Sequence, residues 1–351
     1  MTKYLFDVSD LRKKQTEVSE GGGGVMKRAL VLLACLIVSC CMLTAAETGR
    51  SVDLARTLVG HGRTVNQVVV SNDGRFIVSC SDDNTVKIWE LETGWELRTL
   101  EGHSRSVLTV AVSLDGKYVV SGAGTFDSSI KVWELETGKV LRTLEGHSIS
   151  VKTVAISPDG KTIASGSDTF DSSIKIWELE TGKHIRSLEG HSRPINSVTF
   201  SPDGRFVVSG SNDNSIKVWE LETGRILTLE GHSRSVNCVS VSADSKYVVS
   251  ASDDNTIKIW DLETGREIKT LKGHSRSVNS VVVSPDSKYV ISASDDNTVR
   301  IWNLETAEIL WTLRDHSRSV NSVAVTSDGK FIVSGSADNT VRIWDFTETI
   351  E

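Results

Sequence analysis

The amino-acid sequence predicts an all-β fold, a seven-bladed β-propeller with four antiparallel strands per blade, and three observations carry that expectation. The stretch Leu271 to Trp302, LKGHSRSVNSVVVSPDSKYVISASDDNTVRIW, has near copies seven times along the chain. The tryptophans Trp89, Trp133, Trp177, Trp219, Trp260, Trp302 and Trp344 recur every 41 to 44 residues. Each follows a histidine by 28 or 30 residues: His61, His103, His147, His191, His232, His274 and His316. Repetition at this period marks an array of identical supersecondary units, and a closed ring of them counts as one domain however long it runs.

Every unit holds four short apolar runs, of which Val278 to Val283, Tyr289 to Ser292, Thr298 to Trp302 and Glu267 to Leu271 are examples. Runs such as VVV and IKIW are continuous, as strands covered on both faces require, and neighbouring blades supply that cover. Turn signals separate them: Ser157-Pro158-Asp159-Gly160 between first and second strands, Asp-Asn-Thr between second and third, Leu-Glu-Thr-Gly between third and fourth. Radial sheets of this kind leave only short, protected edges. The last repeat ends at Trp344-Asp345-Phe346 with five residues left, too few for a fourth strand, while Ser51 to Leu58 matches the fourth strand of the other units. The N-terminal strand is therefore expected to complete the last blade.

Ahead of the ring at residues 47–351, residues 1–25 are polar and end in four glycines, a composition that predicts disorder. Residues 26–46 place Lys27 and Arg28 before an uncharged run of 18 residues, which reads as a signal peptide or a membrane anchor, with Met26 as the true start. Ile37-Val38-Ser39-Cys40 resembles a bacterial lipobox, with Cys40 as the lipidated residue, and Thr44-Ala45-Ala46 resembles an ordinary signal peptidase site. An uncleaved signal anchor with the ring outside is the third outcome, since the basic flank favours the inner side. Export or anchoring in the cell envelope is expected, with a cytoplasmic chain as the alternative. Any membrane contact is expected through residues 26–46 alone.

A net charge of -7 with 24% charged residues gives no basic field for phosphate, so nucleic acid is not an expected partner. Five cysteines form no disulfide framework or paired metal spacing, and neither a cofactor nor a metal is expected. Cys80 and Cys238 stand where other repeats place Gly, Ala or Ser.

These residues closely resemble the WD-repeat family, across roughly residues 47 to 348. The departures are small: Trp is followed by Glu in four repeats, by Asp at Trp260 and Trp344 and by Asn at Trp302, and Asp315 replaces the glycine before His316. A histidine, serine, aspartate and tryptophan at matched positions invite comparison with a hydrolase triad. The serines are Ser79, Ser121, Ser165, Ser209, Ser250, Ser292 and Ser334, read as ending the second strand; the aspartates are Asp83, Asp127, Asp171, Asp213, Asp254, Asp296 and Asp338. Seven equal constellations argue for structure, because one active site needs one distinct constellation. The resemblance implies the wiring: Asp accepts from His, His bonds Ser, and Ser bonds the indole N–H. His184, outside the set, is read as solvent-facing.

In a near-perfect array the informative residues are those that break the pattern. Repeats two and three insert two residues in the second turn, bringing Phe126 and Phe170 into loops. Where most repeats carry Asn66, Asn196, Asn237, Asn279 or Asn321, these two carry Leu108 and Lys152, and Ile149 replaces an arginine. The resemblance implies that these positions look onto the top face near the central channel. Leu108, Phe126, Ile149, Lys152 and Phe170 are accordingly expected to form an apolar patch with a cation beside it, a peptide or protein site. The alternative is that the rings fold back onto loop backbone. Arg63, Arg105, Arg193, Arg234, Arg276 and Arg318 are expected to form a salt-bridged rim, and Trp95 and Trp311 to lie on the outer wall. The functional expectation is a non-enzymatic, monomeric scaffold that presents its top face to peptide segments of other proteins. An exported propeller enzyme or carbohydrate-binding protein is the rival.

Overall fold

The computed structural model describes residues 52–168 and 171–347. The expectations for residues 1–25 and 26–46, for Cys40 and for Phe170 fall outside the described residues. Within them, 28 strands, β1 to β28, form seven four-stranded antiparallel sheets. Blade 1 is typical: β2 (Val65–Val70), β3 (Phe76–Ser81), β4 (Val86–Glu90) and β5 (Glu96–Leu100) pair in sequence order. Its second and third strands are buried almost throughout, whereas the fourth runs from exposed through half-buried to buried. That gradient explains the continuous apolar runs of the middle strands.

The core lies between blades. Val78, Val86, Ile88 and Leu100 of blade 1 pack on Val107, Val110, Val119 and Trp133 of blade 2, and the other seams repeat this arrangement. Close approach dictates a small residue in each second strand. A Cβ on Gly122 would lie 2.6 Å from a methyl of Val151 in the next blade, and Cys80, Ala251 and Ala293 fill equivalent slots. Burial pushes the Cys80 thiol far up, so it behaves as a small apolar filler.

Polar ties cross the same seams. Asn66 donates from Nδ2 to the Val107 carbonyl of the next blade at 2.9 Å, and Asn196, Asn237, Asn279 and Asn321 reach Val236, Val278, Val320 and Val65 in the same way. One residue further on, a side-chain oxygen of Gln67, Thr109, Thr153, Ser197, Ser280 or Ser322 accepts the N–H of a valine in the next blade.

The last blade takes its fourth strand from the start of the chain. In sheet order it runs β1 (Asp53–Val59), β28 (Thr340–Asp345), β27 (Phe331–Ser336), β26 (Val320–Val325). Register runs from Asp53 opposite Asp345 to Val59 opposite Thr340, and Leu58 is buried with Val65, Val68, Ile77, Trp89 and Val341 at the seam with blade 1. The ring expected from the repeats, closed by its own leading strand, is what the structure shows.

Antiparallel order sends the histidine loops and the second turns to one end of every blade, here called the top face. Five of those turns hold an asparagine in left-handed backbone: Asn84, Asn214, Asn255, Asn297 and Asn339, with φ from 67 to 72°. A short amide side chain tolerates that region better than most residues.

Candidate functional site

Each repeated quartet is one continuous hydrogen-bonded chain. Trp89 Nε1–H donates to Ser79 Oγ at 2.8 Å, Ser79 Oγ lies 2.8 Å from His61 Nε2, and His61 Nδ1 lies 2.8 Å from Asp83 Oδ2. Asp83 also accepts from the Gly62 N–H, the Thr85 N–H and the Thr85 hydroxyl. The six other quartets share this connectivity, with Trp to Ser at 2.8 to 2.9 Å and His to Ser at 2.7 to 2.8 Å. The histidine to aspartate distance is 2.8 to 2.9 Å in blades 1, 4, 5, 6 and 7 but 3.3 and 3.1 Å in blades 2 and 3, whose turns carry the extra residues.

Burial alone would raise these aspartates, but the hydrogen bonds outweigh it. Asp127 is held down at about 2 by the Ser129 hydroxyl and the Ser104 N–H, and the other six lie lower still. An ionised carboxylate only accepts, so Nδ1–H of the histidine donates to it. Nε2 of a neutral imidazole then accepts the serine O–H, and the serine oxygen accepts the indole N–H. Every polar atom finds a partner in that tautomer, and burial pushes His103 and His274 down, towards the neutral form.

Asp, His and Ser are thus wired as in a triad, but the chemistry is blocked. All seven serines have 0% exposure, and each Oγ is already engaged by a tryptophan. They sit inside their strands, two residues before the end, rather than at it; Ser79 in β3 is the example. Among the described residues no cluster of three or more His, Cys, Asp or Glu could hold a metal ion.

The titration sign follows from these directions. Folded aspartates lie below the ordinary 3.8, so their stabilisation is complete above that value and is lost as pH falls through their folded values, about 2 for Asp127. His103 and His274 lie below 6.5 in the fold, so protons favour the unfolded chain as pH drops past 6.5. The urea midpoint should decline gently from pH 7 to 5 and steeply below 3.8. A midpoint that rises on acidification would contradict this wiring.

On the top face, Phe126 stands apart. Its ring is 84% exposed, and its φ of 77° is strained for a bulky residue. Its N–H donates to the Ile149 carbonyl of the next blade at 3.2 Å, and the Arg105 guanidinium lies 5.9 Å from the ring centroid. Leu108 and Ile149 are half-buried; Leu108 lies beside Gly124 of the Phe126 loop, and Ile149 meets Phe126 through its backbone carbonyl. The ring does not fold back on the loop.

Lys152 differs from the expectation. Its ammonium lies 3.6 Å from Asp168 and 3.4 Å from Asn196 Oδ1, so it is paired within its own seam and is not the cation of the patch. The cation that meets the Phe126 ring is Arg105, and its position two residues after His103 was the available signal. The asparagines at the Leu108 and Lys152 position are the seam ties described above, so Leu108 deletes a tie and Lys152 exchanges the bond to a backbone carbonyl for one to the Asn196 side chain.

The expected salt-bridged rim does not form among the described residues. Arg63, Arg105, Arg193, Arg234, Arg276 and Arg318 are all exposed, and among the described residues none lies within 4.0 Å of a carboxylate. The aspartates beside them are saturated by histidine, hydroxyl and backbone donors. Trp95 is 72% exposed in the fourth-strand region, whereas Trp311 is half-buried against Tyr289 and Phe346. His184 is exposed and packs its ring edge on Trp177 at 5.3 Å.

A cleft of about 180 Å³ opens at the outer seam of blades 3 and 4, lined by Arg186, Leu188, Trp219, Leu221 and Ile226. Its cause is one residue fewer between Gly224 and Leu229 than in other repeats, which removes the bulge beside the blade tryptophan: β17 (Ile226–Leu229) pairs without a register shift.

A family model described as "WD domain, G-beta repeat" matches residues 53–90, 94–134, 138–178, 182–220, 224–261, 265–303 and 307–345. The chain belongs to the WD40 repeat family. WD40 propellers are typically protein-interaction scaffolds and generally non-catalytic. Among named relatives, Cross-pathway control WD-repeat protein 2 of Flammulina velutipes is 49% identical over 39 residues, which cover 11% of this chain and 12% of that one. The matched stretch is about the length of one blade of the WD40 ring, so it carries the repeat and little of either whole protein. Among the described residues of the ring, no helix is long and apolar enough to cross a membrane.

Proposed function

We propose that this WD40 ring is a non-catalytic platform that docks peptide segments of other proteins on its top face at blades 2 and 3, with Phe126 as the anchor. The observation that carries the reading is a phenylalanine held 84% exposed in left-handed backbone. Backbone strain and apolar exposure both oppose folding, and a partner that covers the ring offsets the second. The mode is a knob entering a partner's pocket, with Arg105 set to meet an acceptor beside that pocket. Half-buried Leu108 and Ile149 widen the apolar contact.

Replacing Phe126 by Asp should weaken partner capture by about 2 kcal/mol or more, the scale of an interface hot spot. The melting temperature should stay unchanged, since the ring supports nothing in the fold. Undiminished capture by the variant would remove the anchor from Phe126.

We further propose that residues 26–46 export the chain or tether it to the cell envelope, which sets the ring among envelope partners. The support is the Lys27-Arg28 flank before an uncharged run of 18 residues. Mass spectrometry of the native amino terminus separates a lipid on Cys40, cleavage after Ala46 and an intact anchor. Recovery of the untruncated chain in the soluble fraction would overturn export and anchoring together.

A further inference from the structure

Near the top of each third strand stands a cation: Lys87, Lys131, Lys175, Lys217, Lys258, Arg300 and Arg342. All five lysines are satisfied within their blades. Lys87 donates to Glu96 and Thr99 at 2.8 and 2.7 Å, and Lys258 donates to Glu267 and Thr270 at 2.8 Å each. Lys131 and Lys217 donate to Thr143 and Thr228 at 3.1 and 2.8 Å, and Lys175 lies 3.2 Å from Asp171.

The arginines are not. Nε of Arg300 and of Arg342 is buried with no hydrogen-bond partner. The Arg300 side chain is 13% exposed, and Asp296, 3.9 Å away, already serves His274, Thr298 and the Ser275 N–H. Asp315 lies 4.0 Å from Arg342. In blade 6 the internal partner has been lost, because Ile309 stands where blades 1 and 5 place Glu96 and Glu267. A second cation has been added, because exposed Arg314 stands where blades 1 to 4 place Glu101, Glu145, Glu189 and Glu230. Burial lowers the pKa of Arg300, and the charge of Arg314 is close enough to lower it further.

A mostly buried guanidinium whose Nε–H is unused, whose neighbouring carboxylate is already taken up by other donors, and which has a second, exposed arginine next to it has capacity left for a further anion. We propose that Arg300 and Arg314 on the top rim of blade 6 form an anion site that takes a phosphate dianion carried by a phosphorylated partner segment. Two guanidinium charges match a dianion, and the planar fork of Arg300 matches its tetrahedral oxygens. The rim charges are acidic in blades 1 to 4 and basic at Lys272 and Arg314, which steers an anionic segment to this side of the ring, away from Phe126.

The test titrates the full chain with inorganic phosphate at constant ionic strength and follows the arginine Nε–H resonances by NMR. A saturable shift of the Arg300 Nε–H is expected, with free phosphoserine acting alike and acetate binding more weakly. Ile309→Glu restores the carboxylate that blades 1 and 5 use, so it should melt no lower than the parent and bind phosphate about tenfold or more weakly. Arg314→Glu, an exposed change, should weaken binding likewise, and Phe126→Asp should leave it unaltered. No saturable shift in the parent chain, or undiminished binding by both Ile309→Glu and Arg314→Glu, would overturn the site. Acetate binding as tightly as phosphate would overturn the dianion.

Discussion

A chain shortened to begin at Gly60 should lose its cooperative thermal transition and leave the monomer peak in size-exclusion chromatography. The deletion removes the whole of β1, strips the pairing from Asp53 to Val59 off β28, and takes Leu58 out of the seam shared with Val65, Ile77 and Trp89. Truncating one buried leucine to alanine costs about 2 to 5 kcal/mol. Adding a bare edge along β28 brings the loss to the scale of a whole domain's stability, about 5 to 15 kcal/mol. A synthetic peptide of residues 47–59 supplied in trans should restore the transition, because the edge it leaves is specific in register. A shortened chain that melts like the parent would show that β1 does not close the ring.

Trp302→Ala should destabilise the ring by about 3 to 5 kcal/mol, the cost of a fully buried large aromatic. Ser292→Ala removes a single oxygen and should cost about 1 to 3 kcal/mol for each partner left unsatisfied, the Trp302 N–H and His274 Nε2. Combining Ser292→Ala with Trp302→Phe removes donor and acceptor together, so the double variant should be more stable than the two single losses added. Additive losses in urea melts would mean that the serine and the indole do not share a bond.

The architecture was legible because repetition averages away the noise of single-segment reading. One segment such as IKIW leaves helix and strand open, but seven copies with turns at fixed offsets do not. The closing strand was legible for the same reason, as a fourth-strand pattern displaced to the front of the chain. What the pattern hid were interactions between neighbouring repeats. Asn66 reads as a polar surface residue within its own unit, yet it bonds the Val107 carbonyl of the next blade. Lys152 reads as a free cation until the fold pairs it with Asp168 of its own blade and with Asn196 of the next. Whether the six top-face arginines meet carboxylates depends on how fully the aspartates are already occupied, and composition alone does not reveal that. The exposure of Phe126 depends on the left-handed turn that its loop adopts, a backbone property with no periodic signature.

The clasp also sets how the ring answers to mechanical load. Asp53 and Asp345 face each other at one end of an antiparallel pair, so a pull between the two chain ends strains the rungs singly, starting there and running towards Val59 and Thr340. Bonds broken in series resist far less force than bonds sheared at once. Tugged by its termini, the molecule should unzip at this junction while the six remaining blades keep their shape.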